Sequence, residues 1–339
     1  MINVAINGFG RIGRRVFRLL QEYKNIHVVA INDLADAKTL SHLLKYDSVH
    51  GLFNGQISND DNHHIMVNDN KIPLLNKKHP KDINWNPFNI DFVIEASGKF
   101  KISSDLEYHI KNGAKQVILS VPPIEDDIKT IVLGVNDNTV DGTETIISNA
   151  SCTTNNAAPM IDIINKLCGI NQAYITTVHS YTTDQSLHDQ PHRDLRRSRA
   201  ASQSIVPTTT GAAKALTKIF PELAEVIGGC GIRVPVINGS LTDITFNVKQ
   251  TVSIEDINKA FKEASENHYA GILEYTEDPI VSIDIVGNYH SCIFDSKMTS
   301  VIGNMVKIIG WYDNETGYSK RIIDLLCNLS EKKCLLSIK

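Results

Sequence analysis

A glycine-rich turn near the amino terminus constrains the fold of this 339-residue chain more than any other feature. Residues 7–13 read N-G-F-G-R-I-G and follow a short apolar run over residues 3–6. Apolar residues at helical spacing come next, and a second apolar run ends at Asp33. A lone G-x-G-x-x-G motif is weak evidence. With a strand before it, a helix after it and an acid about 20 residues later, it predicts a dinucleotide-binding βαβ unit.

Each glycine of this turn has its own expected role. Gly8 makes the tight turn, Gly10 lets the backbone approach a pyrophosphate, and Gly13 lets the helix pack on the strand. The first N–H groups of the helix would donate to the phosphates. Asp33 would accept from the adenosine ribose hydroxyls and repel a 2′-phosphate, and Leu34 offers nothing to hold one. The sequence therefore favours NAD over NADP; the alternative is a glycine-rich turn in another doubly wound protein.

Further β-type runs in the first half of the chain cover residues 90–98, 116–120 and 130–136. Helical stretches such as residues 105–112 alternate with some of them. This alternation predicts an α/β fold with a doubly wound, mostly parallel sheet of the Rossmann type, whose ligands bind at the carboxyl ends of the strands. Ser97, Gly98 and Ser120 end such strands and are therefore candidates for the cofactor crevice. The polar stretch 54–70 is interpreted as a surface excursion, with a hairpin as one form that it could take.

A cysteine between two hydroxyl residues is the strongest candidate for a nucleophile. Cys152 lies between Ser151 and Thr153, and the amphipathic run 160–167 places it near the first turn of a helix. Unpaired N–H groups and the helix dipole favour a thiolate there. His179 ends a strand-like run and is the expected base, because such Cys/His pairs are joined by the fold. The alternative is a small buried cysteine and an ordinary histidine.

Composition excludes several other classes of protein. With 42% apolar and 21% charged residues the chain belongs with globular proteins, and its net charge of −4 gives no reason to expect nucleic acid or an anionic membrane as a partner. No apolar run approaches the roughly 18 residues that span a bilayer, and the amino terminus does not resemble a signal peptide. The six cysteines lie far apart, which argues against a metal site or disulfide framework and fits a reducing cytoplasm.

The second half of the chain contains a candidate anion site. A long segment with little periodicity follows His179, and we expect an ordered loop at a binding site or subunit contact. It carries a basic cluster of Arg193, Arg196, Arg197 and Arg199. A solvated face is the alternative, but T-T-T-G-A-A-K at residues 208–214 and a later Arg233 favour a phosphate site.

Regular structure is predicted in the rest of this half. The runs 233–236 and 240–251 indicate strands of a second, largely antiparallel sheet. Residues 255–264 are predicted to form a helix capped by Ser253, and residues 320–329 another helix. A chain of this length favours two domains.

Taken together, the motifs resemble the phosphorylating glyceraldehyde-3-phosphate dehydrogenase family over residues 1 to about 327. They are the cysteine stretch 148–159, the strand ending at His179, the arginine loop, residues 208–214, and W-Y-D-N-E-T-G-Y at 311–318. The resemblance implies that Cys152 attacks the aldehyde carbon to give a hemithioacetal and that His179 acts as base. Hydride passes to NAD, and inorganic phosphate then attacks the thioester to release an acyl phosphate.

The resemblance also assigns binding residues and domains. Substrate-phosphate contacts fall on Thr182, Arg233 and, shared, Arg197. Inorganic-phosphate contacts fall on Ser151, Thr153, Thr210 and Gly211. NAD contacts fall on Arg11, Ile12, Asp33, Ser120 and Asn314, with Tyr318 close by and Lys78 in place of an arginine of many relatives. The implied organisation is an NAD-binding Rossmann domain over 1–150, an α+β catalytic domain over 151–314 and a returning carboxyl-terminal helix over 315–339. The family is homotetrameric.

One departure and three rival readings accompany the resemblance. Asn156 stands where the family usually has a second cysteine, which removes a possible resolving thiol. Erythrose-4-phosphate dehydrogenase is the nearest rival, but H-S-Y-T at 179–182 and T-T-T-G-A-A-K favour the glyceraldehyde 3-phosphate enzyme. A Cys/His hydrolase would need no nucleotide, and the fingerprint with Asp33 argues against it. Intact Cys152 and His179 argue against a silent scaffold.

Overall fold

A computed structural model describes residues 1–60 and 63–337, with side chains up to residue 333. The chain divides into two compact units. The first contains Met1–Ile131, Asn138–Ala150 and the chain from Ser319. The second contains Val132–Asp137 and Ser151–Tyr318.

A six-stranded parallel sheet with the order β10-β11-β9-β8-β1-β2 forms the centre of the first unit. The elements up to residue 150 are β1 (Ile2–Asn7), α1 (Arg11–Leu20), β2 (Ile26–Asn32), α2 (Ala37–Lys45), β3 (Tyr46–Asp47), β4 (Gly51–Leu52), β5 (Ile57–Asp60), β6 (His64–Val67), β7 (Asn70–Pro73), β8 (Phe92–Glu95), α3 (Ser103–Lys111), β9 (Gln116–Leu119), β10 (Lys129–Thr130) and β11 (Ile146–Ser148). The predicted doubly wound Rossmann-type sheet is confirmed.

The strand order of this sheet creates a crevice for ligands. Strand β1 pairs with β2 on one side and with β8 on the other, and Asn7 lies opposite Glu95 in the register of β1 and β8. In open α/β sheets the ligand binds outside the carboxyl ends of the strands, at the point where the strand order reverses. That point in this chain lies between the ends of β1 and β8.

In the first half, one strand prediction is wrong, while the antiparallel pair in the polar stretch agrees with the hairpin interpretation. The predicted strand over residues 130–136 is wrong beyond Thr130. Here the side chain of Asn136 accepts from the Val132 N–H at 2.8 Å, and that of Asp137 accepts from the Gly134 N–H at 2.8 Å. These local bonds replace a strand ladder. The polar stretch 54–70 contains the antiparallel strands β5 and β6 and the first residue of β7, and its residues 61–62 lie outside the described part.

A mixed eight-stranded sheet forms the centre of the second unit, with the order β13-β14-β12-β15-β19-β17-β16 and β18 paired to β19. Its elements are α4 (Cys152–Cys168), β12 (Ile170–Ser180), β13 (Val206–Thr208), α5 (Ala212–Ile219), β14 (Ile227–Val234), β15 (Ser240–Val248), α6 (Ile254–Glu266), β16 (Leu273–Thr276), β17 (Cys292–Asp295), β18 (Ser300–Ile302) and β19 (Met305–Tyr312). Only β12–β14 and β16–β17 are parallel pairs, so the prediction of a largely antiparallel sheet is confirmed.

Of the two helices predicted near the end of the chain, one agrees closely with the structure and the other is longer. Ser253 caps α6 in a reciprocal capping box with Asp256, as expected. The last helix, α7 (Thr316–Ser337), is longer than the predicted 320–329. No glycine or proline follows Leu329 to stop it before residue 337. Among the described residues, no helix combines the length and apolar character that crossing a membrane requires.

Candidate active site

Cys152 is the first residue of α4. Ser151 caps the helix, because its Oγ accepts from the Thr154 N–H at 3.1 Å. Two residues before the cysteine, Ala150 has a φ of 55°, which is uncommon outside glycine. The chain therefore turns sharply just before Cys152, and a serine cap then fixes the start of the helix. This local geometry follows the strand, turn and helix pattern predicted from the sequence.

The structure brings Cys152 and His179 together. The Cys152 Sγ lies 3.5 Å from Nε2 of His179, at the end of β12. The other ring nitrogen, Nδ1, donates to the Ser180 carbonyl at 2.7 Å. Because a carbonyl oxygen only accepts, this bond favours the tautomer with the ring proton on Nδ1, in which Nε2 is the acceptor that faces the thiol. The pair therefore has the arrangement of a thiol and its general base.

Burial controls the protonation of this pair. Burial raises the pKa of the Cys152 thiol, while the charge of Arg233 and hydrogen bonds from Thr153 oppose that rise. Burial and then the charge of Arg233 lower the pKa of His179 to about 3. Desolvation therefore opposes the thiolate that the helix start and Arg233 favour, and the thiolate stays a prediction.

Tyr312 supports both members of the pair and was missed by the sequence analysis. Its hydroxyl bonds to Oγ1 of Thr153 at 2.9 Å and to Oγ1 of Thr177 at 2.8 Å. Its ring meets the His179 imidazole edge to face, with the ring centres 5.9 Å apart. Burial raises the pKa of Tyr312, so the hydroxyl stays protonated. The available signal was its position in W-Y-D-N-E-T-G-Y, of which only later residues were assigned.

Arg233 adds a positive charge beside the pair. It lies opposite His179 in the register of β12 and β14. Its Nη1 donates to the Ser180 carbonyl at 3.0 Å and also contacts His179 Nδ1. The charges of Arg197 and Asp184 both affect the pKa of Arg233, after the larger effect of burial. The two arginines assigned to the substrate phosphate are therefore electrostatic neighbours.

Arg197 is the one member of the basic cluster that is held by several partners and partly buried. Its Nε donates to Thr208 Oγ1 at 2.9 Å, and its guanidinium contacts Asp184. The Asp194 carboxylate lies 3.6 Å from its Nε. The other three arginines are exposed, namely Arg193, Arg196 and Arg199. The cluster is thus a solvated face from which one guanidinium turns inward.

The remaining phosphate candidates lie at the starts of helices and loops in the same unit. Thr210 precedes α5, and its Oγ1 accepts from the Ala212 N–H at 3.2 Å. Gly211 is the N-cap of α5 and has open space where a side chain would be. Thr182 opens the loop after β12, where its N–H donates to Gln185 Oε1 at 3.4 Å. Two of the predicted hydroxyls are bonded to buried partners, that of Thr153 to Tyr312 and that of Ser151 to Thr154.

The glycine turn of the first unit fits a dinucleotide. A Cβ at Gly8 would lie 2.5 Å from the Ser97 backbone, and one at Gly13 would lie 2.1 Å from the Gly8 carbonyl oxygen. A Cβ at Gly10 would meet nothing within 4 Å, so this glycine faces open space at the helix start. Asp33 accepts from the Phe9 N–H at 2.7 Å, which holds its carboxylate against the turn.

The other cofactor candidates of this unit surround the same edge. Arg11 and Ile12 open α1, and the Arg11 guanidinium pairs with Asp47 at 2.6 Å. Burial would raise the pKa of Asp47, but hydrogen bonds from Arg11 and from two backbone N–H groups lower it below its usual range. Ser120 follows β9 and its N–H donates to the Glu95 carbonyl at 3.0 Å. Lys78 is exposed.

Asn314 is oriented by its surroundings in the second unit. Its Oδ1 accepts from Ser180 Oγ and Ser240 Oγ, both at 2.9 Å, and from the Gly239 N–H at 3.2 Å. Three donors on one atom identify that atom as the oxygen, so the amide NH₂ points the other way. Tyr318, four residues on, is buried. Asn314 thus presents two N–H donors near the end of β12.

Two family models match the chain, both described as glyceraldehyde 3-phosphate dehydrogenase. The NAD binding domain matches residues 2–103, and the C-terminal domain matches residues 151–314. The chain belongs to the glyceraldehyde-3-phosphate dehydrogenase family. The predictions of this family and of NAD as the cofactor are confirmed.

Similar relatives of this family are known from bacteria. Glyceraldehyde-3-phosphate dehydrogenase 1 of Bacillus cereus is 46% identical over 334 residues, which cover 98% of this chain and 99% of the relative. Glyceraldehyde-3-phosphate dehydrogenase 2 of Streptomyces avermitilis is 50% identical over 327 residues, 96% of this chain and 97% of the relative. The Geobacillus stearothermophilus enzyme is 47% identical over 333 residues, 98% and 99% respectively. The similarity therefore extends over both units.

Proposed function

We propose that this chain oxidises glyceraldehyde 3-phosphate to 1,3-bisphosphoglycerate with NAD and inorganic phosphate, as a step of glycolysis and gluconeogenesis. The Cys152 Sγ at 3.5 Å from His179 Nε2, in a chain of this family, carries the proposal. The erythrose-4-phosphate dehydrogenase alternative is not favoured, because the relatives bear the glyceraldehyde 3-phosphate name.

The reaction begins with a proton transfer inside the buried pair. Sγ of Cys152 bonds to the aldehyde carbon as the thiol proton passes to Nε2 of His179, which returns it to the aldehyde oxygen to give the hemithioacetal. Bound NAD would supply the hydride acceptor for that carbon, and Nε2 of His179 would take the hydroxyl proton. A thioester on Cys152 remains, and a phosphate oxygen attacks its carbonyl carbon while the sulfur leaves. A covalent nucleophile thus replaces one difficult reaction step with two easier ones.

Anion binding is assigned to residues near this pair. Arg233 and Arg197, with Thr182, would hold the substrate phosphate, since guanidinium groups match phosphate oxygens well. Ser151, Thr153, Thr210 and Gly211 would hold inorganic phosphate. The starts of α4 and α5 support this assignment, because the first N–H groups of a helix attract anions. Substrate binding would have to draw Arg197 from Asp184.

NAD binding is assigned to both units. Gly8, Gly10 and Gly13 with the start of α1 would hold the pyrophosphate, and Asp33 the adenosine ribose. Further NAD contacts in the first unit are assigned to Ser97, Ser120, Lys78, Arg11 and Ile12. The free NH₂ of Asn314 is suited to the carbonyl oxygen of the nicotinamide amide, with Tyr318 nearby. The domain boundaries that go with this assignment are 1–150, 151–314 and 315–339, supported by grouping of the chain from Ser319 with the first unit.

A homotetramer is supported by the free face of the eight-stranded sheet. Helices α4, α5 and α6 pack on the sheet, and in alternate positions β12 carries Tyr174, which is 54% exposed, and the partly exposed Val178. Neighbouring strands carry Ile232 and Leu241 in register with Val178. A second copy could bury this apolar row. A cytoplasmic location is proposed because the described cysteines are free thiols, which suits a reducing compartment.

One assay tests the proposed reaction directly. NADH formation is followed by absorbance with glyceraldehyde 3-phosphate, NAD and inorganic phosphate, then with phosphate omitted and with erythrose 4-phosphate as the aldehyde. Fast turnover that depends on phosphate and prefers the three-carbon sugar is expected. Faster turnover of the four-carbon sugar would favour the alternative enzyme, and no turnover of either sugar would overturn the proposal.

A further inference from the structure

Glu95 is a buried acid at the centre of the crevice between β1 and β8. Its side chain has no solvent exposure, and it lies opposite Asn7 in the strand register. Parallel strands covered on both faces are normally apolar, and the other three residues of β8 are. An unbonded charge in such a place would be costly, so the partners of Glu95 decide what it does.

Four donors satisfy the Glu95 carboxylate. One oxygen accepts from Asn7 Nδ2 at 2.5 Å and from His109 Nε2 at 3.1 Å. The other accepts from the Ser97 N–H at 3.0 Å and from the Ser97 hydroxyl. The Ser97 backbone is the same segment that a Cβ on Gly8 would strike at 2.5 Å. Glu95 thus holds Ser97 against the glycine turn.

Two arms of hydrogen bonds reach Glu95, one through His109 and one through Asn7, and each arm can only donate to the carboxylate. The Trp85 Nε1–H donates to His109 Nδ1 at 3.0 Å. An indole nitrogen is only a donor, so the His109 proton lies on Nε2 and points at Glu95.

The other arm is fixed from its far end. The Lys77 N–H donates to Asn32 Oδ1 at 2.7 Å, and Asn32 Nδ2 donates to Asn7 Oδ1, also at 2.7 Å. Neither amide can turn over without losing those bonds, so Asn7 Nδ2 must face Glu95. The network links the backbone of Lys77, next to Lys78, to the backbone of Ser97 on the other side of the crevice. Only a side chain with two acceptor oxygens can bond to both arms and to Ser97.

We propose that Glu95 is a positioning residue for NAD, which acts by fixing Ser97 and the Asn7–Asn32–Lys77 arm around the glycine turn. The inference rests on the proposed NAD site. Because the Ser97 hydroxyl donates to Glu95, Ser97 contributes its position and its acceptor atoms to the crevice, while its hydroxyl proton stays with Glu95.

Glu95→Gln tests this directly, because it keeps the shape and replaces one oxygen with an NH₂. Turned towards Asn7 and His109, that NH₂ meets two fixed donors. Turned towards Ser97, it meets one fixed N–H and a hydroxyl that can rotate, so this orientation costs less. The variant should therefore loosen Ser97 while the rest of the fold stays in place.

The experiment compares NAD binding by titration calorimetry in the full-length wild type, Glu95→Gln and Asn32→Ala. We expect the dissociation constant to rise about 10- to 100-fold in Glu95→Gln and about 3- to 10-fold in Asn32→Ala. The KM for NAD should rise with it, while kcat at saturating NAD and the rate of Cys152 alkylation without NAD stay within about threefold.

A matched control separates positioning from general destabilisation. Gln116 is also buried, at the amino-terminal end of the neighbouring strand β9. Its Nε2 donates to the Glu144 carbonyl at 2.7 Å. Gln116→Leu should lower the melting temperature and leave NAD affinity unchanged.

Several outcomes would overturn the inference. They are wild-type affinity in folded Glu95→Gln, an equal loss in Gln116→Leu, or a fall in kcat with unchanged KM. If Glu95→Gln does not fold, Asn32→Ala decides by the same criteria. A wild type that binds no NAD would overturn the proposed function as well.

Discussion

Two buried clusters of ionisable side chains differ in how completely they are hydrogen-bonded. The Glu95 carboxylate of the first unit has four donors on two oxygens. The Cys152 thiol of the second unit is partly buried, and its partners are the single acceptor atom of His179 and the hydrogen bonds of Thr153. A saturated cluster resists change and holds its neighbours in place. An unsaturated one retains capacity to form a bond with a substrate.

The difference also appears in the charge that each cluster tolerates. Four hydrogen-bond donors surround the Glu95 carboxylate. In the other cluster, burial raises the pKa of Cys152 and lowers that of His179. Burial thus disfavours the charged form of both members of the Cys152–His179 pair. Five experiments break or sharpen this contrast, and they run from the largest expected effect to the smallest.

Cys152→Ser should abolish the reactive cluster, because a hydroxyl is far less ionised than a thiol at neutral pH. We expect phosphate-dependent NADH formation to fall at least about 10⁴-fold. The unfolding midpoint should stay near that of the wild type, since the side chains are similar in size. Appreciable remaining turnover would remove Cys152 from the mechanism.

His179→Asn should remove the acceptor for the thiol proton. Turnover should fall by about 10²- to 10⁴-fold, the usual effect of losing a general base. Alkylation of Cys152 by iodoacetamide near neutral pH should become slower as well. His27, an exposed histidine of β2, supplies the control, and His27→Asn should change neither rate. An unchanged alkylation rate in His179→Asn would mean that another group activates the thiol.

Acid should destabilise the fold through the same histidine. The pKa of His179 is lowered from its ordinary value to about 3, so between about pH 6.5 and 3 the unfolded chain binds a proton that the folded chain does not. The stability from neutral His179 is complete above that window. It is lost as pH falls, by up to about 1.4 kcal/mol per pH unit. Urea unfolding at several pH values should give a shallower acid slope in His179→Asn, and an unaltered slope would contradict the assigned burial.

Asp33→Gly should relax the preference for NAD over NADP, because the carboxylate would repel a 2′-phosphate. We expect the ratio of kcat/KM values to shift towards NADP by about tenfold or more. Asp36→Asn is the matched control, since Asp36 is a nearby exposed acid whose Oδ1 caps α2 by accepting from Thr39. Equal shifts in both variants would indicate a general charge effect.

Tyr312→Phe should have the smallest effect, because it keeps the ring against His179 and removes only the hydroxyl. Thr153 and Thr177 each lose a buried partner, so unfolding free energy should fall by about 1–2 kcal/mol. Turnover should fall less than about tenfold. Tyr269 is equally buried and bonds to Asp162 at 2.6 Å. Tyr269→Phe should lose similar stability with unchanged kcat; an equal loss of kcat would show that Tyr312 acts through stability alone.

Short-range patterns in the sequence predicted the main architecture. The glycine turn, the acid at the end of β2, the serine caps of α4 and α6 and the alternation of strands and helices all lie within one or two elements. Such signals act through local backbone geometry, so they can be interpreted without knowing which segments pack together. The Rossmann-type sheet, the antiparallel sheet and NAD as cofactor followed from them and from the resemblance.

Tertiary packing decided what local patterns could not. The apolar run 130–136 looked like a strand, but side chains of Asn136 and Asp137 satisfy its backbone instead. The helix start at Cys152 favours a thiolate, whereas burial raises the pKa of the thiol and so acts in the opposite direction. The sequence predicted no role for Glu95 in the apolar run before Ser97, because its partner Asn7 is 88 positions away.

The sequence by itself therefore determined most of the elements and their order, and it predicted a nucleophile and its base. Only the tertiary structure decided which polar groups are saturated with hydrogen bonds and which are left able to react. The physical reason is that hydrogen-bond saturation and desolvation depend on neighbours from distant parts of the chain, and no local pattern specifies those neighbours.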